Sequence, residues 1–192
     1  MAETIQATDA RDAGRALRGA LGRFSTGVAI VTTLASDGRN TGVTVNSFSS
    51  VSLEPPLVLF SLARRATIYR AFEQARCFTV NVLSQKQKLV SNRFTRPSSV
   101  TWDDVACSAG TNACAVLAES LAWFECERHA EYEGGDHVIF VGRVTAFGTS
   151  GEAGEPLVFY RGNYGSFLGD ERVHPDLSGT LGEFSSYGWG GM

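Results

Sequence analysis

LAWFECERHAEYEGGDHVIFVGRVTAF, residues 121–147, decides the fold. Two long runs rich in β-branched and aromatic residues, 121–132 and 137–147, flank Glu133-Gly134-Gly135-Asp136. Glycine supplies the backbone freedom that a tight reversal needs, so the stretch predicts an antiparallel hairpin. Further towards the N-terminus, VAIVTTLA (28–35) and the extended run Gly42–Val51 flank the turn residues 36–40, a second hairpin. LVLFSL (57–62) after Pro55-Pro56, and CFTVNVL (77–83), read as further strands, and PLVFYRGNYGSF (156–167) as a last one. Helical spacing is confined to three places. From Asp12, Leu17, Leu21 and Phe24 share a face, with Arg15, Arg18 and Arg23 mostly elsewhere. Residues 67–75 place Ile68, Ala71 and Phe72 together, and Lys86–Phe94 is a second short segment. Arg96–Asn112 reads as a long polar loop.

The expectation is a mainly β protein: a closed antiparallel barrel with short peripheral helices. Residues 13–168 would form one domain, preceded by a mobile tail (1–12) and followed by a Gly/aromatic tail (169–192). That second tail holds Phe184, Tyr187 and Trp189 among six glycines, and is either disordered or docked on a partner subunit.

The chain of 192 residues is 43% hydrophobic and 19% charged, which suits one globular core. With 17 Lys+Arg against 20 Asp+Glu the net charge is -3, unlike a nucleic-acid binder. No apolar run is long enough to span a bilayer, and the first residues, MAETIQATDARDAG, lack the apolar core of an export signal. A cytoplasmic location is expected. Cys77, Cys107, Cys114 and Cys126 form no zinc-like spacing, and His129, His137 and His174 form no metal pattern, so no metal is expected. A Cys107–Cys114 disulfide is disfavoured without export.

No Rossmann fingerprint, phosphate-binding P-loop or serine-nucleophile elbow occurs. Asp103-Asp104 reads as a solvated loop face. The informative segment is Thr41–Ser52, TGVTVNSFSSVS, dense in hydroxyls between apolar strands. Strand Ser and Thr ordinarily satisfy local backbone or solvent. Their density here also suits a flat heteroaromatic ligand, which needs backbone N–H groups and small hydroxyls around an apolar slot. Arg64-Arg65, just after LVLFSL, could neutralise a phosphate or mark an exposed turn. His137 beside Asp136 is a packed or surface histidine, or a positioning group. Tyr160-Arg161-Gly162-Asn163-Tyr164 offers edge-of-core aromatics, or a stacking and phosphate-binding cluster.

In order along the chain stand RFSTGVAIVTT (23–33), TGVTVNSFSSVSLEPPLVLFSL (41–62), CFTVNVLSQKQ (77–87), SNRF (91–94), EGGDHVIFVGRV (133–144) and PLVFYRGNYG (156–165). This series, from about Leu17 to Phe167, resembles the flavin reductase-like proteins, NAD(P)H:flavin oxidoreductase components of two-component flavin-dependent monooxygenases. The resemblance implies an FMN-binding split β-barrel of Greek-key-like topology, usually a homodimer with flavin near the subunit interface. It implies FMN or FAD, with NADH or NADPH as hydride donor and a monooxygenase receiving the reduced flavin. By position, Thr44, Val45, Asn46 and Ser47 would lie along the isoalloxazine, and Ser49 and Ser50 would face its ribityl or phosphate part. Ser61, Arg64 and Thr67 would reach phosphate, and Arg93 and Phe94 would cover the flavin. His137 would sit by the nicotinamide, positioning its amide rather than moving a proton. Phe159, Tyr160, Arg161, Gly162 and Tyr164 would hold the pyridine nucleotide. Ala66 departs from the pattern, where many relatives carry a hydroxyl. Rival readings are a flavin-binding electron carrier of the same fold, an oxidase of the pyridoxamine-phosphate type, and an interaction module without a ligand.

Overall fold

The computed structural model describes residues 10–151 and 154–167. In chain order these form α1 (Ala10–Leu21), β1 (Thr26–Gly27), β2 (Ala29–Leu34), β3 (Asn40–Val45), β4 (Ser49–Leu53), β5 (Pro56–Ala63), α2 (Tyr69–Gln74) and β6 (Cys77–Val82). There follow α3 (Lys88–Phe94), β7 (Cys107–Ala109), β8 (Ala115–Leu117), β9 (Ala122–Gly134), β10 (His137–Thr149), β11 (Leu157–Tyr160) and β12 (Asn163–Ser166). Seven strands make one antiparallel sheet in the order β3-β2-β6-β9-β10-β5-β4. The segment 46–48 carries the chain from β3, at one edge, to β4 at the other. One face of the sheet therefore encloses a single core, the barrel interior.

Alternation explains that core. Along β5, Val58, Phe60 and Leu62 are buried while the intervening residues are half-exposed. Phe60 stacks on Phe140 at 5.2 Å and meets Phe72 and Phe78 edge-on. Gly142 sits where a side chain has no room, since a Cβ there would lie 2.8 Å from the Cys126 Cβ and against the Phe78 ring. A second core lies outside the barrel, where Ile30, Leu83, Phe94, Val105, Leu117 and Leu157 meet.

Between these cores the outer faces of β2 and β6 are polar yet buried. Thr32, Thr33, Thr79 and Asn81 are all within 1% of full burial. The β7–β8 flap covers them through directed bonds. The Thr32 hydroxyl donates to the Ala115 carbonyl (2.6 Å), the Leu117 N–H donates to Asn81 Oδ1 (2.8 Å), and Asn112 Nδ2 donates to the Phe78 carbonyl (3.1 Å). Buried polar groups need such partners.

Several expectations are corrected in detail. The polar stretch 96–112 is not one long loop: it contains two single 3₁₀ turns and strand β7. The extended run 42–51 is broken at 46–48 into two strands that pair with different neighbours. Residues 156–167 form a hairpin rather than one strand, turning at Arg161-Gly162 with φ of 48° and 81°. Two central residues with positive φ are what a type I′ turn requires. Helix α1 starts at Ala10, so the end of the expected 1–12 tail is helical. Residues 1–9 and the tail 169–192 lie outside the described residues. Leu17 and Leu21 lie on α1 but Phe24 lies beyond its end, and the three are 60%, 66% and 77% exposed. Cys107 and Cys114 are not bonded to each other. No described helix is long and apolar enough to cross a membrane.

Candidate functional site

The site grows from the break between β3 and β4. A strand that left the ladder for three residues would leave its peptide groups unpaired, and the N–H groups of Asn46, Ser47 and Phe48 donate to no backbone carbonyl of the described residues. Ser47 fastens this segment to the opposite wall. Its hydroxyl donates to the Ser61 carbonyl (3.0 Å) and accepts from the Ser61 N–H (2.9 Å).

Thr44, Val45 and Asn46 line a slot of about 160 Å³ with Val28, Thr95, Phe159 and Tyr164. Its walls are held from behind. The Thr44 hydroxyl donates to the Ser91 carbonyl (2.7 Å), Ser91 Oγ lies 2.8 Å from the Tyr164 hydroxyl, and Phe159 meets Tyr164 edge-on at 5.7 Å. Asn46 and Phe159 also border a larger cleft of about 780 Å³, closed by α1 and by the β11–β12 turn at Arg161-Gly162. Arg15, Arg18 and Arg161 give that cleft three guanidinium groups, and the Arg161 N–H donates to the Gly22 carbonyl (2.8 Å), tying the turn to the end of α1. Slot and cleft share Asn46 and Phe159 as lining residues. The slot is apolar with hydroxyls, and the cleft is cationic.

One polar atom there is orphaned. Thr26 Oγ1, bordering the cleft, is buried without a hydrogen-bond partner, one of two such side-chain atoms among the described residues. A buried hydroxyl left unpaired is costly. Together with the free N–H groups of 46–48, it fits a planar ligand carrying carbonyl and ring-nitrogen acceptors, as a flavin does.

A second group of expected residues lies beyond Ser47, along β5 and β10. Ser61 pairs with Ile139 and Ala63 with His137, so His137 stands two strand positions, about 7 Å, from the Ser47–Ser61 bond. The chain turns tightly before His137, with positive φ at Gly135. His137 Nδ1 lies 2.7 Å from Asp136 Oδ1. The hydrogen bond and charge of His137 hold the Asp136 carboxyl below its ordinary value. An ionised carboxylate only accepts, so Nδ1 donates this bond and Nε2 is left facing away from Asp136. Arg64 faces elsewhere than expected: its guanidinium pairs with Glu133 and bonds the Tyr69 hydroxyl (3.4 Å). Thr67 is exposed in the turn that follows.

Other expected residues are not brought to the slot. Phe94 is fully buried, edge-on to Trp102 in the outer core, and has no surface with which to cover a ligand. Arg93 is turned to the Thr101 carbonyl (3.0 Å) and to Asp104. Ser49 and Ser50 lie on edge strand β4, the Ser49 hydroxyl bonding the Ser50 carbonyl. Tyr160 is half-exposed and borders neither cavity. Thr26, Val28 and Thr95 went unnoticed as site residues, as did Arg15 and Arg18 as cleft residues. Thr26 and Thr95 immediately adjoin or fall within the quoted motifs, and that adjacency is the signal that could have found them.

Residues 21–168 match the flavin reductase like domain, and the chain belongs to that family. It is 43% identical over 153 residues to the FMN reductase (NADH) SmoA of Agrobacterium fabrum, covering 80% of this chain and 86% of that protein. It is 41% identical over 156 residues to the reductase component of the flavin-dependent trigonelline monooxygenase of Acinetobacter baylyi, covering 81% of this chain. The chain spans about half the length of that protein, 50%. Among solved structures it resembles the NADH:FAD oxidoreductase SgcE6 of Streptomyces globisporus, with a TM-score of 0.80 and 35% identity over 88% of this chain and 99% of that one. SgcE6 has also been solved in complex with NAD and FAD fragments.

Proposed function

We propose that this chain is an NAD(P)H:flavin oxidoreductase that reduces FMN or FAD and supplies the reduced flavin to a monooxygenase component. The observation that carries the reading is the gap in the strand ladder at Asn46–Phe48, beside a hydroxyl-lined slot and an orphaned Thr26 Oγ1. Relatives that act as an FMN reductase (NADH) and as a monooxygenase reductase component support it.

When bound, the flavin supplies the hydride acceptor, its N5 receiving from nicotinamide C4. The chain's own part is placement and electrostatics. Backbone N–H groups of Asn46, Ser47 and Phe48 donate to the edge of the ring where negative charge develops, at no reorganisation cost because they are already unpaired. Thr44, Val45 and Phe159 bound the ring, and Tyr164 is locked behind them through Ser91. Arg15, Arg18 and Arg161 attract the diphosphate of a dinucleotide. Ser61 and Thr67 lie on the phosphate side. His137, oriented by Asp136, accepts the carboxamide N–H at Nε2 and so holds the nicotinamide for transfer; no proton has to move to carbon. The exposed apolar residues Leu17 and Leu21 of α1, with Phe24 just past its end, suit a second copy of the chain, giving a homodimer with the cleft at its interface. A cytoplasmic site of action accords with NAD(P)H as donor.

NADH and NADPH oxidation by the purified chain, followed at fixed nucleotide with no flavin, FMN and then FAD, tests the reading. Turnover that requires added flavin supports it and ranks the cofactors. Flavin binding without nucleotide oxidation would refute it in favour of the electron carrier.

A further inference from the structure

Beneath the β7–β8 flap, apart from the residues that line the cleft, two thiols face each other. Cys77 opens β6 and is half-buried, whereas Cys114 directly precedes β8 and is fully buried. Their sulfurs are 3.5 Å apart across 37 positions of sequence. Both approach one carbonyl, that of Asn112, at 3.4 and 3.8 Å. Neither thiol belongs to the proposed flavin site.

We propose that Cys77 and Cys114 are a peroxide-sensitive dithiol that closes to a disulfide stapling the flap to β6. The oxidant is hydrogen peroxide, which released reduced flavin forms by giving two electrons to oxygen; on this point the inference rests on the proposed reductase activity. Cys77 is the thiol that solvent reaches. Its sulfur attacks one peroxide oxygen, the O–O bond breaks, and the departing hydroxide takes up the thiol proton as water, leaving a sulfenic acid. The Cys114 sulfur then attacks the Cys77 sulfur. The S–O bond breaks, and hydroxide leaves with the Cys114 proton as a second water. Two thiols and one peroxide become one disulfide and two waters.

Burial sets the order of events. Cys114 is fully buried, so peroxide in solution meets Cys77 first, yet the Cys114 sulfur stands in contact with the sulfenic acid once that forms. Closure requires the sulfurs to approach from 3.5 Å to about 2.05 Å, a shift within reach of side-chain rotation at Cys114, which lies in a turn segment. Cys107, exposed on the flap, and Cys126, enclosed in the barrel core, have no such neighbour and are internal controls.

The test treats the purified full chain in two parallel arms, one with reagent hydrogen peroxide and one with NADH and FMN in air, with and without catalase. Remaining thiols are then alkylated for intact mass and peptide mapping. The expected result in both arms is a monomer carrying two alkyl groups fewer than the dithiothreitol-treated control, with a Cys77–Cys114 peptide about 2 Da below the sum of its two thiol peptides, reversed by dithiothreitol. Catalase abolishes the link in the turnover arm, Cys77→Ser abolishes it in both, and Cys107→Ser leaves it intact. Cross-linked dimers through Cys107, or sulfinic acid at Cys77 without the link under reagent peroxide, would overturn the proposal. Absence of NADH oxidation in the second arm would instead refute the reductase reading, while the reagent arm still decides the dithiol.

Discussion

Replacing Thr26 by Val should move stability and ligand affinity in opposite directions. Thr26 pairs with Phe159 through its backbone, and its hydroxyl is buried with no partner. Valine keeps the β-branched shape that a strand favours and removes only the hydroxyl. An unpaired buried polar group costs about 1–3 kcal/mol, so the unliganded variant gains on the order of 1 kcal/mol. For a chain of this size that raises Tm by roughly 2–4 °C. On the proposed reading, bound flavin gives this hydroxyl a partner in the wild type and none in the variant. Losing one hydrogen bond of about 1 kcal/mol weakens flavin binding roughly fivefold. Thermal unfolding of flavin-free protein gives the first quantity, and titration of flavin fluorescence gives the second. A variant that melts lower and binds flavin as tightly as the wild type would refute the assignment of this atom to the ligand.

Three other outcomes are expected. His137→Ala should raise the NADH KM or lower kcat by roughly tenfold or more, leaving the flavin dissociation constant unchanged; unaltered steady-state kinetics would remove His137 from the site. Gly142→Ala should destabilise the chain by about 1–3 kcal/mol in urea unfolding, because a Cβ there meets the Phe78 ring and the Cys126 Cβ. The lowered pKa of Asp136 implies stability that is present above the carboxylate's ordinary value of 3.8 and lost as pH falls through the lower folded value. Asp136→Asn should therefore flatten that acid limb and raise the NADH KM at neutral pH; an acid limb of the same steepness would show that the pair is inert.

The long hairpin around Gly135 was legible because period-two alternation and a turn signal coincide there. The turn at Arg161 was not, since an arginine in the left-handed region carries no such signal and the flanking residues remain strand-like. Nothing in the sequence of β2 and β6 says how their polar residues are covered, because the flap that buries them is distant in sequence. At the site, hydroxyl density between apolar strands marked the segment 41–52 as a whole, and the family resemblance narrowed it to Thr44–Ser47, of which Thr44, Val45 and Asn46 line the slot. Phe94 was misread because position along a motif says nothing about which way a helix turns its side chains. Thr26 stayed hidden because its distinguishing property is an unmet hydrogen bond, which only three-dimensional packing creates.

The closure at residues 46–48 also acts as a tether. From Val45 to Ser49 the chain takes four Cα steps, which even fully extended reach only about 14 Å. The two edges of the sheet cannot part farther than that at this end, whatever the neighbouring side chains do. Ligand exchange on the scale of a whole dinucleotide then depends on the facing wall of the same cleft, where the end of α1 and the β11–β12 turn are joined by the backbone bond from Arg161 to Gly22. One wall is measured out in residues; the other hangs on one hydrogen bond.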